Sequence, residues 1–373
     1  MTFEVPKYYC AQIHLGMQIG LDEVTGKIFM SPCNMEPVRY VVTDNNTFNH
    51  PNIIEFRKRN KENQKLEGHC EACYADSCVG KRGQIRSWSN FMHLKDELLY
   101  DQPGPKNITF RFDYTCNLAC VICGPALSTK WRSIEKVKGL QTRITPDRIR
   151  EIISNINLEQ LETVHIFGGE PLLGKTHEVI LKELIPYGKN ITVWYDTNAT
   201  VYPNERTLEL WSHFNLIRIK FSIDGVDKSF EYLRWPASWT QVQDNMLKMY
   251  ETLPVNHMFS FRPAIGLLNF PIVKDVRDWV QKYMPTNRLG DITEFEYNPT
   301  NGPYHAGYMS QDMLDEIHKI YAADDPILGL IPPLIDDPTA LPKVKANLEA
   351  LDRVRGLDWK ASLPYLVPHL SKL

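Results

Sequence analysis

The chain has 373 residues, 43% of them hydrophobic, enough to bury a large core as one domain with appendages or as two domains. Its 42 basic and 45 acidic residues leave a formal net charge of −3, which gives no electrostatic basis for binding nucleic acid or an anionic membrane. No apolar run approaches the roughly 18–20 residues of a spanning helix. The N-terminus lacks the basic-then-apolar pattern of a secretory signal, so a cytoplasmic protein is expected.

Residues 1–100 read as a small α+β module. Strands are predicted at Tyr8–Ile19 and Lys27–Cys33, around a turn at Thr25-Gly26, followed by a charged helix at Ile53–Gln64. The charge run Arg57–Lys65 reads as a solvated helix face. Cys10 and Cys33 flank the hairpin, and Cys70-Glu-Ala-Cys73 and Cys78 follow it. A pair of thiols across a hairpin plus a later C-x2-C can close a four-ligand metal site, with zinc or an iron–sulfur cluster as occupant. Cys78, five residues beyond Cys73, is an alternative ligand to Cys10.

Residues 101–300 alternate strand and helix patterns. The strands are predicted at Asn107–Tyr114, Leu161–Phe167, Ile191–Asp196, Ile217–Ile223, Met258–Ile265 and Ile292–Tyr297. Helices are predicted at Pro146–Ile156, Thr176–Ile185, Asn204–Phe214, Thr240–Thr252 and Ile272–Tyr283. Such alternation implies an α/β region of parallel βαβ units; six strands are too few for a closed eight-stranded barrel but can form an open, partial one. Residues 301–373 read as a C-terminal helical extension, with helices at Gln311–Ala323, Pro342–Arg355 and Trp359–Leu370.

The sharpest motif is Cys116-Asn-Leu-Ala-Cys120-Val-Ile-Cys123, directly after the first strand of the alternating region. Three thiolates on one loop can each take a different iron of a cubane and leave the fourth iron open, whereas electron-transfer clusters use four cysteines. A three-Cys zinc site completed by a distant histidine is the alternative. Gly168-Gly169-Glu170-Pro171 ends the second strand, Asp196-Thr197-Asn198 the third and Ser222-Ile223-Asp224-Gly225 the fourth. Active sites of α/β folds are built from loops at these strand ends. Singly each is explained by a turn or helix entry; four together point to a ligand site. His165 is more simply a packed strand residue than a substrate contact.

The C-x3-C-x2-C loop, followed by Gly-Gly-Glu-Pro and Ser-Ile-Asp-Gly, resembles the radical S-adenosylmethionine (SAM) superfamily over residues 107–299. The resemblance implies a partial (β/α)6 TIM-like barrel and a [4Fe–4S] cluster on Cys116, Cys120 and Cys123, with SAM chelating the open iron and being reductively cleaved to a 5′-deoxyadenosyl radical. It implies that Ile122 lies beside the adenine and that Gly168, Gly169 and Glu170 hold the methionine amino group. Asn198, Ser222 and Asp224 match positions that contact the ribose or carboxylate, and Arg262 is a further match that a structural salt bridge would equally explain. An external electron donor of flavodoxin or ferredoxin type is implied, with a peptide or small-molecule substrate. The N-terminal cysteines resemble a twitch (SPASM-like) module, which implies an auxiliary [4Fe–4S] cluster on Cys10, Cys33, Cys70 and Cys73. A non-catalytic iron–sulfur carrier or sensor is the competing reading, but the chain has no cysteine beyond Cys123 to complete such a cluster.

Overall fold

A computed structural model describes residues 10–33, 39–42, 48–66, 70, 102–254 and 256–373. Cys73, Cys78, Tyr8, Tyr9 and Trp88 lie outside the described residues. The protein is α/β and divides into two compact units. The first comprises residues 1–115, 137–195 and 203–217; the second comprises 116–136, 196–202 and 218–373.

In the first unit, β1 (Gly16–Leu21) and β2 (Ile28–Ser31) form an antiparallel hairpin, with Gln18 opposite Ser31 and Leu21 opposite Ile28. The turn closes because Asp22 accepts the Thr25 amide at 2.7 Å and Gly26 takes a φ of +70°, which only glycine adopts without strain. The strand expected from Tyr8 begins only at Gly16, because Ala11–Leu15 is a short helix. β3 (Tyr40–Val41) pairs with β2, and β1 pairs in parallel with β4 (Asn107–Asp113). β5 (Thr163–Gly168) and β6 (Thr192–Thr197) continue in parallel, giving the order β3-β2-β1-β4-β5-β6.

Alternation in β4 places Ile108, Phe110 and Phe112 in the core. The helix Pro146–Ser154 starts at Thr145, whose hydroxyl accepts the Arg148 amide, and buries Ile149, Ile152 and Ile153 at helical spacing. The helix Pro51–Lys61 departs from expectation at Arg57. This residue is buried, with Nε donating to Ile13 O at 2.9 Å, Nη1 donating to Phe48 O at 3.0 Å, and its guanidinium 3.8 Å from the Phe48 ring centroid. Only the rest of that charge run is available as a solvated face.

In the second unit, β7 (Leu216–Phe221) neighbours β8 (His257–Phe261). β9 (Ala264–Ile265) lies beyond it in the chain, β8 runs parallel to β10 (Glu294–Phe295), and β9 and β11 (Asn298–Pro299) form a separate parallel pair. The strand expected across Met258–Ile265 therefore breaks at Arg262-Pro263, where proline offers no ladder donor. The expected helix Trp359–Leu370 is divided by Pro364 and Pro368 into Trp359–Ser362, a 3-10 turn at Pro364–Leu366, and Val367–Leu370. These segments are not a loose tail. Leu348, Trp359, Leu363, Leu366 and Leu370 share one core with Tyr232, Leu267 and Phe270. Among the described residues no helix is long and apolar enough to cross a membrane.

Candidate active site

The cysteine loop belongs to the second unit, and its main chain is held at almost every position. Thr129 Oγ1 accepts from Cys116 N and donates to Cys116 O, both at 3.0 Å. Ser128 Oγ donates to Leu118 O at 2.6 Å, and Trp131 Nε1 donates to Cys120 O at 3.0 Å. Ala119 N and Val121 N donate to Trp235 O and Leu233 O, at 2.7 and 2.8 Å, so the loop runs beside the Leu233–Trp235 segment. Ser128 also caps the helix Thr129–Glu135, so one short sequence both starts a helix and fixes the loop.

The three thiols lie near enough that charge on Cys116 or Cys123 opposes ionisation of Cys120. Burial pushes the Cys120 thiol up to about 12, with the Arg234 guanidinium pulling the other way. Burial likewise raises Cys123, partly offset by its contact with Gly124 O and by Arg234. Buried thiols of this kind ionise only against a bound metal, which deprotonates a coordinating thiol outright. Among the described residues no three His, Cys, Asp or Glu side chains converge tightly enough to chelate a single ion. A cubane takes a single thiolate at each ligated iron, and three thiols spread along C-x3-C-x2-C suit three of its four irons.

Arg234 Nε lies 2.8 Å from Asp224 Oδ2, and both residues are buried. Burial works against the Arg234 charge, but Asp224 and Cys120 hold it above the ordinary arginine range. Asp224 Oδ1 also accepts the Ala264 amide at 2.7 Å, so both carboxylate oxygens are engaged. A small pocket lies beside Asp224, with Ile122, Leu233, Ala264, Asn269 and Tyr304 in its wall. Ile122 is 39% exposed and is the apolar face that the loop turns outward.

Asn198 is buried in a small polar set. It donates to Asn117 Oδ1 at 3.2 Å and accepts from the Thr200 hydroxyl at 2.6 Å, while Asn117 Nδ2 donates to that hydroxyl at 2.8 Å. Ser222 is anchored through its amide to Thr197 O at 2.8 Å. Arg262 forms the salt bridge expected as one alternative, with Nη1 2.8 Å from Asp196 Oδ2. Nearby, Lys220 lies 2.6 Å from Glu296; burial lowers this lysine to about 8 despite the carboxylate.

Gly168, Gly169 and Glu170 belong to the first unit, where they are zipped to the end of β4. Gly169 N donates to Asp113 O at 3.0 Å and Glu170 N donates to Thr115 O at 2.8 Å. A β-carbon on Gly168 or Gly169 would stand 2.2 Å from Asp113 O or 2.4 Å from Thr115 O, so close approach of two backbones demands both glycines. Asp113 fixes the same corner, accepting Thr115 N at 2.8 Å and the Thr176 hydroxyl at 2.6 Å. His165 is buried edge-on to Phe167 and Trp194, in keeping with a packed strand residue.

Of the N-terminal cysteines, Cys10 packs against the cluster of Ile13, Phe56, Leu66 and Cys70, and Cys33 is buried two residues beyond β2. The Cys10 amide donates to Asn60 Oδ1 at 3.0 Å, an oxygen that also lies 3.1 Å from His14 Nε2. Cys73 falls outside the described residues.

Residues 112–265 match the family model described as the Radical SAM superfamily. No curated protein matches the sequence significantly. Among solved structures, a histidine-tagged form of anSMEcpe with bound AdoMet shares 15% identity at a TM-score of 0.40, covering 67% of this chain and 59% of that one. Streptococcus suis SuiB bound to S-adenosylmethionine shares 14% identity at a TM-score of 0.40, covering 81% and 67%. SuiB bound to precursor peptide SuiA shares 13% identity at a TM-score of 0.40, covering 82% and 67%. The chain thus spans 59% of the length of the first of these structures.

Proposed function

We propose, from the premise that residues 112–265 are a radical SAM domain, that the chain is an enzyme abstracting a hydrogen atom from a peptide or small metabolite. Cys116, Cys120 and Cys123 would hold a [4Fe–4S] cluster, to which SAM would bind. When bound, the pair supplies reductive cleavage of SAM to methionine and a 5′-deoxyadenosyl radical, fed by a flavodoxin- or ferredoxin-type donor.

The chain's own residues bind, orient and exclude water. Ile122 offers the adenine an apolar face beside the pocket that Asp224 also lines. Asn198, Ser222 and Asp224 contact the ribose or carboxylate, Asn198 with its amide already oriented by Asn117 and Thr200. Gly168, Gly169 and Glu170 receive the methionine amino group. Arg262, steadied by Asp196, adds a fixed positive charge for the ligand. Within a module of residues 1–100, Cys10, Cys33, Cys70 and Cys73 would hold an auxiliary [4Fe–4S] cluster that relays electrons or tunes the site; residues 101–300 carry the SAM chemistry and 301–373 form a helical extension.

The observation that carries this reading is the three-thiol loop, rigid in its main chain and without a fourth cysteine toward the C-terminus. Adding SAM to the anaerobically reconstituted, reduced protein tests it. The electron paramagnetic resonance spectrum of the cluster should change, because SAM binds an open iron. An unchanged spectrum would mean a fully ligated carrier cluster.

A further inference from the structure

We infer that Arg355 is a positioning residue whose buried charge is balanced by the cluster on Cys116, Cys120 and Cys123 and raises that cluster's reduction potential. The inference rests on the proposed cluster reading. Arg355 ends the helix Ala340–Arg355, after which Gly356 turns left-handed at φ +66°. It is 7% exposed. Its Nη2 donates to Ala119 O at 2.6 Å, between Cys116 and Cys120 in the loop, and its Nη1 donates to Tyr232 O at 3.2 Å. The guanidinium lies 5.2 Å from the Trp131 ring centroid and 5.6 Å from that of Trp235. Both tryptophans are themselves bonded to the cysteine loop, through Cys120 O and Ala119 N.

The second buried arginine beside the thiols, Arg234, is matched by Asp224. Arg355 is different: among the described residues its hydrogen-bond partners are carbonyl oxygens and its guanidinium faces indole rings. The acid one turn earlier on its helix, Asp352, favours the Arg355 charge through space but forms no ion pair with it; its oxygens accept from the Tyr232 hydroxyl and the Trp359 amide, both at 2.9 Å. Burying a cation with no directly paired anion is costly. Three thiolates outweigh the doubly positive core of an oxidised cubane, so a cluster on this loop is an anion, and it gains a further negative charge on reduction. Arg355 supplies the matching cation, and cations and hydrogen bonds near the sulfurs favour the reduced state. Arginine suits the place because its planar fork can bond two carbonyls while its faces meet aromatic rings.

The test compares Arg355→Met and Arg355→Lys with the parent, all full-length and reconstituted anaerobically. The readouts are iron content, midpoint potential by redox titration, and thermal unfolding of the cluster-free forms. Arg355→Met should shift the potential to a more negative value or lose iron while the cluster-free form stays folded, and Arg355→Lys should restore both toward the parent. A parent-like potential in Arg355→Met overturns the inference alone. So does a cluster-free Arg355→Met that fails to fold, since the residue would then serve the fold, and so does Arg355→Lys behaving like Arg355→Met. A parent that binds no cluster overturns both the inference and the reading beneath it.

Discussion

Arg234 and Asp224 form a buried ion pair, Nε to Oδ2 at 2.8 Å, that ties the turn after β7 to the segment bonded along the cysteine loop. The pair therefore braces the Leu233–Trp235 backbone against which Ala119 and Val121 are laid. Removing one partner of such a pair leaves an uncompensated charge and costs about 3–5 kcal/mol. Asp224→Asn should lower stability by that order in denaturant unfolding, and adding Arg234→Met should recover part of the loss. Additive losses in the double variant would show that the two side chains do not act as a pair.

Gly169→Ala should lower both stability and iron content. Its β-carbon would press on Thr115 O, the acceptor for Glu170 N and the carbonyl immediately before Cys116 in the chain. The loss should appear in iron analysis even without SAM. Parent-like iron and unfolding midpoint would mean that the two backbones can separate freely.

Acid should weaken the first unit through His177. Burial holds this histidine down to about 4, beside the Tyr195 hydroxyl at 3.1 Å. In the unfolded chain it titrates near 6.5, so between pH 6.5 and 4 the unfolded state binds the proton first. The stabilising contribution is complete above 6.5, falls as pH drops toward 4, and changes no further below that. Unfolding free energies from about pH 7.5 to 4 should slope accordingly, and His177→Gln should reduce the slope by up to roughly 1.4 kcal/mol per pH unit. His257, lowered by burial to about 4, acts in the same sense, so a residual slope is expected. An identical slope in His177→Gln would contradict this assignment.

Cys70→Ala tests the auxiliary cluster. With both cubanes filled, iron should be about eight per chain, and the variant should retain about four, all with the spectrum of the SAM-binding cluster. Zinc in place of iron in anaerobically purified parent would overturn the auxiliary cluster and leave the other standing.

Much of this is legible in the sequence because it is periodic or local. Alternation in β4 and the i, i+3, i+4 spacing of Ile149, Ile152 and Ile153 mark the elements, and Pro364 marks where the C-terminal helix breaks when read strictly. The cysteine loop and the Gly-Gly-Glu turn are compact motifs. What escapes is what depends on distant pairing. Arg57 looks like one charge in a solvated run, yet it caps Ile13 O and Phe48 O from within the core. The need for Gly168 and Gly169 comes from the backbone at the end of β4, far earlier in the chain, and no local signal carries it. Nothing local pairs Arg234 with Asp224, whose sequence context suggests a helix entry or a ligand contact. Arg355 has no local signal at all; its acceptor, Ala119 O, lies at a sequence separation of 236 residues.

The most direct measurement is the fate of SAM. Anaerobically reconstituted protein, reduced and given SAM, should release 5′-deoxyadenosine and methionine in equal amounts, and Cys120→Ala should release neither, because the cubane loses one of its three protein ligands. Absence of 5′-deoxyadenosine from cluster-loaded parent, or undiminished release from Cys120→Ala, would contradict the account.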